Sequence, residues 1–506
     1  MQNNKLVEAD LLVIGGGING TGIACDAQGR GLNVVLCEAN DLASATSSYS
    51  SKLVHGGLRY LEQYEFKLVR EALKEREVLL NKAPHIIHPL TFVLPYAKHL
   101  RPKWMIRTGL FLYDHLSKLK SLHKSKGFSL KNSQEGENLK DQFNYAFSYS
   151  DCRIDDSRMV ILNAIQAKQL GAKIYVNAPC ISAKRIDNHW QATLKSSDGS
   201  LIVKCKAIVN AAGPWVADLL GNTIESHSKS SVRLVQGSHI VVPKLYNGSH
   251  AYILQNEDNR IVFAIPYGFT APGQNNFTLI GTTDTDYHGD PSKVEATGDE
   301  VNYLCSLINE YFKTPIKPED VIWKYSGVRP LYDDHSQNLS KVTREYHFEV
   351  EDDNASLPLL SVFGGKITTF RTLSEAVLEK LKPYFPDMND PWTDKAKSPG
   401  GGAKSEMDIF AKIYAHFPWI DKQQAYRYAT SYGMSSFDFL KNCHRMEDLG
   451  QHFGYNLYEK ELQYMIDNEW AFDLHGLIWI RSKLGLWLSD NEKQAIQKWL
   501  DLNSEV

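Results

Sequence analysis

The sequence predicts a mixed chain: α/β at its start, α+β beyond, and a helical C-terminal region. Three observations predict it. A strand, a glycine turn, a helix and a second strand open the chain. Alternating apolar and polar residues between 232 and 345 read as an antiparallel sheet, and helical periodicity fills 406–506. At 506 residues the chain is too long for one ordinary core, so two or three domains are expected.

In the opening unit, Asp10 to Ile14 is an apolar run long enough for one buried strand. Gly15, Gly17 and Gly20 follow in G-x-G-x-x-G spacing, with Gly16 extra, and Ile18 to Arg30 suits a helix. Val34 to Cys37 is a second strand, ended by Glu38. Gly15 permits the tight turn, Gly17 lets the backbone approach a pyrophosphate, and Gly20 lets the helix lie close on the strand. The helix N-terminus turns free N–H groups and its positive dipole end toward that pyrophosphate. Glu38 stands where an acid accepts hydrogen bonds from an adenosine ribose and repels a 2′-phosphate, so FAD or NAD fits and NADP does not. The alternative is a glycine-rich turn with no ligand.

Residues 41–66 read DLASATSSYSSKLVHGGLRYLEQYEF. Ser44, Thr46, Ser47, Ser48, Ser50 and Ser51 are too polar for a core segment and follow directly on the acid. Their hydroxyls and backbone N–H groups are expected to hold a pyrophosphate and a flavin edge; a solvated loop is the alternative. Lys52, His55, Gly56, Gly57, Arg59 and Tyr60 come next, and cations beside paired glycines suit an anion or ring approached closely by backbone.

Glu65 to Leu80 reads as an amphipathic helix with Phe66, Val69 and Leu73 on one face. Residues 98–126 carry eight Lys or Arg against one acid, Asp114. After Pro102, the apolar positions Met105, Leu112, Leu116 and Leu119 recur at helical spacing, with Trp104, Phe111 and Tyr113 nearby. Such a helix either lies in a membrane interface against anionic lipid or packs on the protein's own surface with a solvated basic face. Residues 127–150 read as polar loop, 157–170 as helix, and Lys173–Val176 as strand. Paired strands then run from Cys180 to Val209, with a turn at Ser197-Asp198-Gly199.

Ala207 to Asn210 is a short buried strand leading into AAGPW, where Gly213 lets backbone meet a cofactor; an ordinary strand-to-helix turn is the alternative. Leu359 to Phe370 repeats that device: a buried strand, then Gly364-Gly365, Lys366, and Thr368-Thr369 opening a helix. This corner suits the electron-rich N1/O2 edge of a flavin, or is a second structural turn. Residues 388–405 have linker composition, and 406–506 carry five tryptophans and no catalytic constellation.

A net charge of −3 argues against general nucleic-acid binding. Seven dispersed cysteines without a C-x-x-C pair give no zinc or iron–sulfur framework and fit a reducing compartment. The N-terminus lacks a signal-peptide apolar core, and no run of about 18 apolar residues occurs, so a cytoplasmic-side location is expected, free or peripheral.

GGGINGTGIACDAQGRG, SSKLVHGGLRYLEQYEF, GPW, QGSHIVVP, GTTD, YSGVRPL and FGGKITTFR occur in this order. Together they resemble the FAD-dependent, respiratory glycerol-3-phosphate dehydrogenases of bacteria, over nearly the whole length. The resemblance implies a glutathione-reductase-type FAD domain joined to an antiparallel substrate domain, as in the D-amino-acid oxidase group. The implied division gives 1–85, 146–230 and 351–390 to the FAD domain, 86–145 to an insertion, 231–350 to the substrate sheet, 391–405 to a linker and 406–506 to a helical domain. The implied reaction is oxidation of sn-glycerol 3-phosphate to dihydroxyacetone phosphate, with hydride passing to FAD and electrons to ubiquinone. The enzyme would sit peripherally on the inner face of the cytoplasmic membrane, which favours the membrane reading of 98–126; a homodimer is compatible with it.

Arg329, from SGVRP, and Arg59, from LRY, are the first candidates for the substrate phosphate, because a guanidinium matches its geometry with two parallel hydrogen bonds. Tyr60 adds a hydroxyl. Structural ion pairs are the alternative for both arginines. Lys366 would stand near N1/O2 or hold a substrate oxygen. His239, in QGSH, is the leading general base and His55 the second. Thr283 and Asp284 shape the wall without a chemical step. The expected cofactor contacts are Gly15, Gly16, Gly17, Asn19, Gly20, Glu38, Thr46, Ser47, Ser48, Ser51, Lys52, Gly56, Gly213, Gly364, Gly365, Lys366 and Thr368, with no metal. Rival readings are a soluble FAD-dependent amino-acid or hydroxy-acid oxidase using dioxygen, a flavin-binding subunit without turnover, and a plain NAD dehydrogenase.

Overall fold

Short strands whose every side chain is buried need cover on both faces, and the opening unit supplies them. In the computed structural model Leu11–Ile14, Val34–Cys37 and Ala207–Asn210 are fully buried and run parallel. The structure describes residues 5–117, 121–196, 199–256, 260–271, 273–333 and 346–503; the side chains of Arg59, Glu62, Gln63 and Phe269 are also outside the description.

A six-stranded sheet has the order His347–Asp353, Ser356–Phe363, Ala207–Asn210, Leu11–Ile14, Val34–Cys37, Lys173–Tyr175. The helices Ile18–Gly29, Asp156–Gln169 and Phe370–Leu381 share one apolar core against it. Cys180–Ile186, His189–Ser196 and Gly199–Cys205 form an antiparallel sheet completed by Lys5–Glu8. The turn expected at 197–198 lies outside the described residues.

The largest sheet has ten strands and carries Val232–Pro243 flanked by Trp323–Tyr332 on one side and Gln274–Gly281 on the other. Here the sequence reading needs correction. Residues 126–129 and 145–154 are strands of this sheet, not loop, and Ile87–Pro95 pairs with Tyr145–Ile154 along its length. The division at 86 and 146 therefore cuts through a single sheet. The strand Tyr145–Ile154 was masked by its polar residues. Asp151 is buried because Arg76 and the Tyr113 hydroxyl satisfy its carboxylate, at 2.5 and 2.7 Å.

The helix expected after Pro102 forms, as Lys103–His115, but with a different buried face. Leu110, Tyr113 and Asp114 point inward, Asp114 accepting from Ser125 N and Oγ at 2.9 and 2.6 Å. Leu112 is exposed with Trp104 and Phe111, while Leu119 lies outside the described residues. Among the described residues no helix is long and apolar enough to cross a membrane.

Residues 388–405, of linker composition, are strapped down. Trp392 covers Gly29 and donates to Asp26 O at 3.2 Å, and Ser398 N donates to Lys82 O at 3.0 Å. Beyond it the helical domain has its own apolar core, around Ile413, Tyr428, Leu462 and Ile496.

Candidate functional site

At the first corner Gly15 takes φ +115°, where L side chains are strained, and a Cβ there would lie 2.5 Å from Ala211 O. A Cβ on Gly20 would lie 1.9 Å from Gly15 O, so the helix packs on the turn only because that atom is missing. Glu38 is fixed by the turn it serves, its carboxylate accepting from Gly16 N at 2.6 Å and Asn40 N at 2.8 Å. Burial pushes its pKa up. Ser47 Oγ accepts from Ile18 N at 3.0 Å, docking the polar loop onto the helix start.

Asn19 ties this corner to the second. Its Nδ2 donates to Gly364 O at 3.0 Å, and its Oδ1 is buried without a hydrogen-bond partner. Gly364 and Gly365 both have positive φ, +79° and +103°. A cavity of about 660 Å³ runs between the corners. Its wall includes Gly15, Gly16, Gly17, Asn19, Glu38, Thr46, Ser47, Ser51, Gly213, Gly364, Gly365 and Lys366, and it continues to His239 and Arg329. A long cleft of small residues and backbone donors, with an orphaned amide oxygen between its two glycine corners, suits a dinucleotide cofactor.

The far end is made by strand register. His239 faces Gly281 across the sheet, and a Cβ on Gly281 would come within 2.1 Å of its ring. The imidazole stacks on Tyr325, centroids 4.8 Å apart, with Nε2 2.9 Å from Ser51 Oγ and Nδ1 buried without a hydrogen-bond partner. Burial first, then the Arg329 and Lys52 cations, hold its pKa well below the usual histidine range. The ring is therefore neutral, which leaves one of its nitrogens with a lone pair. Arg329 is gripped by the Asp284 carboxylate and donates to Thr282 Oγ1 at 3.1 Å and Thr283 O at 3.4 Å. Gly237 leaves room for it, a Cβ there lying 2.3 Å from Nη2. Lys366 Nζ stands over the Tyr60 ring, 4.1 Å from its centroid.

Several expected residues stand off the cavity wall. His55 lies beside Phe263, ring centroids 6.2 Å apart. Lys52 turns away to Asp156 and Ser48 O. Gly56 N bonds the Tyr113 hydroxyl, Ser48 Oγ donates to Ala45 O, and Thr368 is buried at the start of its helix. Gly20 works beneath the turn. The Arg59 side chain is outside the description. Conversely, Tyr49, Cys180 and Gly237 line the cavity without having been singled out. Only Gly237 left a signal, as an isolated glycine in a strand pattern.

Comparison with known proteins agrees with this geometry. The FAD dependent oxidoreductase family matches residues 10–370. The chain is 50% identical over 493 residues to a glycerol-3-phosphate dehydrogenase of Pseudomonas aeruginosa, covering 97% of this chain and 94% of that one. It is 47% identical to the D-erythritol 1-phosphate dehydrogenase of Brucella abortus, covering 97% of each. The crystal structure of a Bacillus halodurans glycerol-3-phosphate dehydrogenase complexed with FAD superposes with a TM-score of 0.74 at 25% identity, covering 99% of this chain and 95% of that one.

Proposed function

Because the chain belongs to the FAD-dependent oxidoreductases and, within them, to the glycerol-3-phosphate dehydrogenase family, we propose that it oxidises sn-glycerol 3-phosphate to dihydroxyacetone phosphate and passes the electrons to ubiquinone at a membrane surface. The carrying observation is a single cavity that joins both glycine corners to a neutral histidine and two cations.

FAD is the cofactor, and when bound it supplies the hydride acceptor. Residues of this chain fit it: the backbone N–H of Gly17 for the pyrophosphate, Glu38 for the ribose, and Gly364, Gly365 and Lys366 for the ring edge. Arg329 and Lys366 take the substrate phosphate, and Asp284 keeps the Arg329 fork aimed. The C2 hydroxyl gives its proton to His239 by way of Ser51 Oγ, which passes its own proton to Nε2 across their 2.9 Å contact. Arg59 remains a phosphate candidate through its motif.

The acceptor must come to the flavin, since the sequence has no C-x-x-C and no haem-attachment motif. The helix Lys103–His115 supports a membrane-bound acceptor. Trp104 and Phe111, 67% and 52% exposed, stand beside Arg101, Lys103 and Arg107, the composition of an interfacial helix on anionic lipid.

Erythritol 1-phosphate is the second substrate reading, favoured by the Brucella abortus relative. Steady-state rates with each phosphate, and with ubiquinone or dioxygen as acceptor, separate the readings. The proposal expects a kcat/KM for glycerol 3-phosphate at least tenfold above that for erythritol phosphate, and quinone reduction without peroxide. A reversed preference moves the substrate, and peroxide as main product makes the protein an oxidase.

A further inference from the structure

The polar loop that lines the cavity from Ser44 to Ser51 is anchored at its leading end by the C-terminal helical domain and at its trailing end by Asp156, which that domain approaches. At the leading end, Arg481 is fully buried and forks onto Asp41, its Nη2 2.7 Å from Oδ1 and 2.6 Å from Glu469 O. Arg481 closes a π-helical stretch, Gly476–Arg481, whose wide turn brings the guanidinium to the FAD domain. At the trailing end, Asp156 is completely buried, at the first turn of the helix Asp156–Gln169. Its carboxylate accepts from Ser50 Oγ at 2.8 Å and from Lys52 Nζ at 2.8 and 2.9 Å. Lys483 approaches the same group from the C-terminal domain. Its Nζ lies 4.0 Å from Asp156 Oδ1 and donates to Ser157 Oγ at 2.7 Å, while Ser157 Oγ donates to Ile480 O at 2.6 Å.

Buried ions contribute little net stability against apolar residues of the same shape, but they fix one arrangement. Here the arrangement has a specific output. Ser50 and Lys52 are both pinned to Asp156, Lys52 in a left-handed conformation at φ +56°, and Tyr325 OH donates to Ser50 O at 2.8 Å. The residue between them is Ser51, whose Oγ meets His239 Nε2.

We propose that Arg481 and Lys483, acting through Asp41 and Asp156, are positioning residues by which the C-terminal domain clamps both ends of the cofactor-lining loop and sets Ser51 against His239. The helical domain is thereby part of the reaction machinery. The inference rests on the reading of His239 as proton acceptor.

Rapid mixing of the full-length, FAD-loaded enzyme with glycerol 3-phosphate tests it, reading substrate Kd and the limiting rate of flavin reduction separately. Lys483→Met is expected to keep full FAD content and a Kd within twofold of the parent, and to slow reduction at least tenfold. Arg481→Lys, which keeps the charge and loses the fork, is expected to fall between the two. Asp156→Asn is expected to be slower still, and adding Lys483→Met to it to cost nothing further, because both break one link. If Asp156→Asn does not fold, the Lys483→Met and Arg481→Lys rates decide. Parental reduction rates in those two variants, or losses confined to thermal stability or FAD content, overturn the clamp. A parent enzyme that glycerol 3-phosphate does not reduce overturns the functional reading itself, before any variant is compared.

Discussion

The two ends of the cavity are built on opposite principles. The end proposed for the nucleotide is made mostly of backbone and missing side chains between Gly15 and Ser47, backed by Ala211. The end proposed for the substrate is made of side chains from four distant segments, Ser51, His239, Arg329 and Lys366. A backbone site fails when an atom is added; a side-chain site fails when one is removed.

That contrast is broken most severely at Gly20. Its Cβ would meet backbone, Gly15 O at 1.9 Å, which has no rotamer to yield. Gly20→Val should yield protein without FAD, measured by the absorbance ratio after purification. Retention of stoichiometric FAD would refute the packing argument. Arg329→Ala should do the reverse, keeping FAD and lowering kcat/KM for glycerol 3-phosphate by about 10²–10³, the worth of a charge-assisted contact of roughly 3–4 kcal/mol. Near-parental kinetics would remove Arg329 from the site.

pH sharpens the comparison. At the nucleotide end burial raises Glu38, so acid does not penalise it. Elsewhere burial lowers five histidines: His239 well below 6.5, His88 and His250 to about 4, His85 to about 3, and His475 below 6.5. Each stays neutral in the folded chain while the unfolded chain binds a proton below 6.5, so stability is present above that pH and is lost as pH falls through it. At pH 5 the loss is about 2 kcal/mol for each of His85, His88 and His250. Urea unfolding at pH 7.5 and 5 should show a drop of several kcal/mol, and equal midpoints would contradict the burial of these rings. For the same reason kcat/KM should show no limb near 6.5. The smallest effect on turnover is expected on the outer helix. The pair Lys103→Glu and Arg107→Glu should leave dye-linked kcat within twofold and weaken binding to anionic liposomes roughly tenfold or more, at about 1 kcal/mol per cation. Unchanged co-sedimentation would detach that helix from the membrane.

The same contrast explains what the sequence could reveal. The two glycine corners were legible because a local turn, a strand before it and a helix after it sit in one window. The partnership of Arg329 with Asp284 was not, because it depends on cross-strand register 45 residues apart. The strand Tyr145–Ile154 and the inward face of the helix Lys103–His115 were misread for one reason: Asp151 and Asp114 are buried carboxylates whose partners lie far away in sequence or beyond the helix. Pattern reading assigns such residues to water. The role argued for Arg481 and Lys483 was equally hidden, since neither carries a motif.

The central claim is that one cleft holds FAD and presents a phosphate-bearing alcohol to it beside a neutral histidine. Anaerobic titration of the purified protein with glycerol 3-phosphate, followed in the visible spectrum, addresses it most directly. The account predicts a yellow protein whose flavin band bleaches fully as substrate is added and returns on adding a quinone. A colourless protein that takes up no FAD, or a yellow one that stays oxidised, would contradict it.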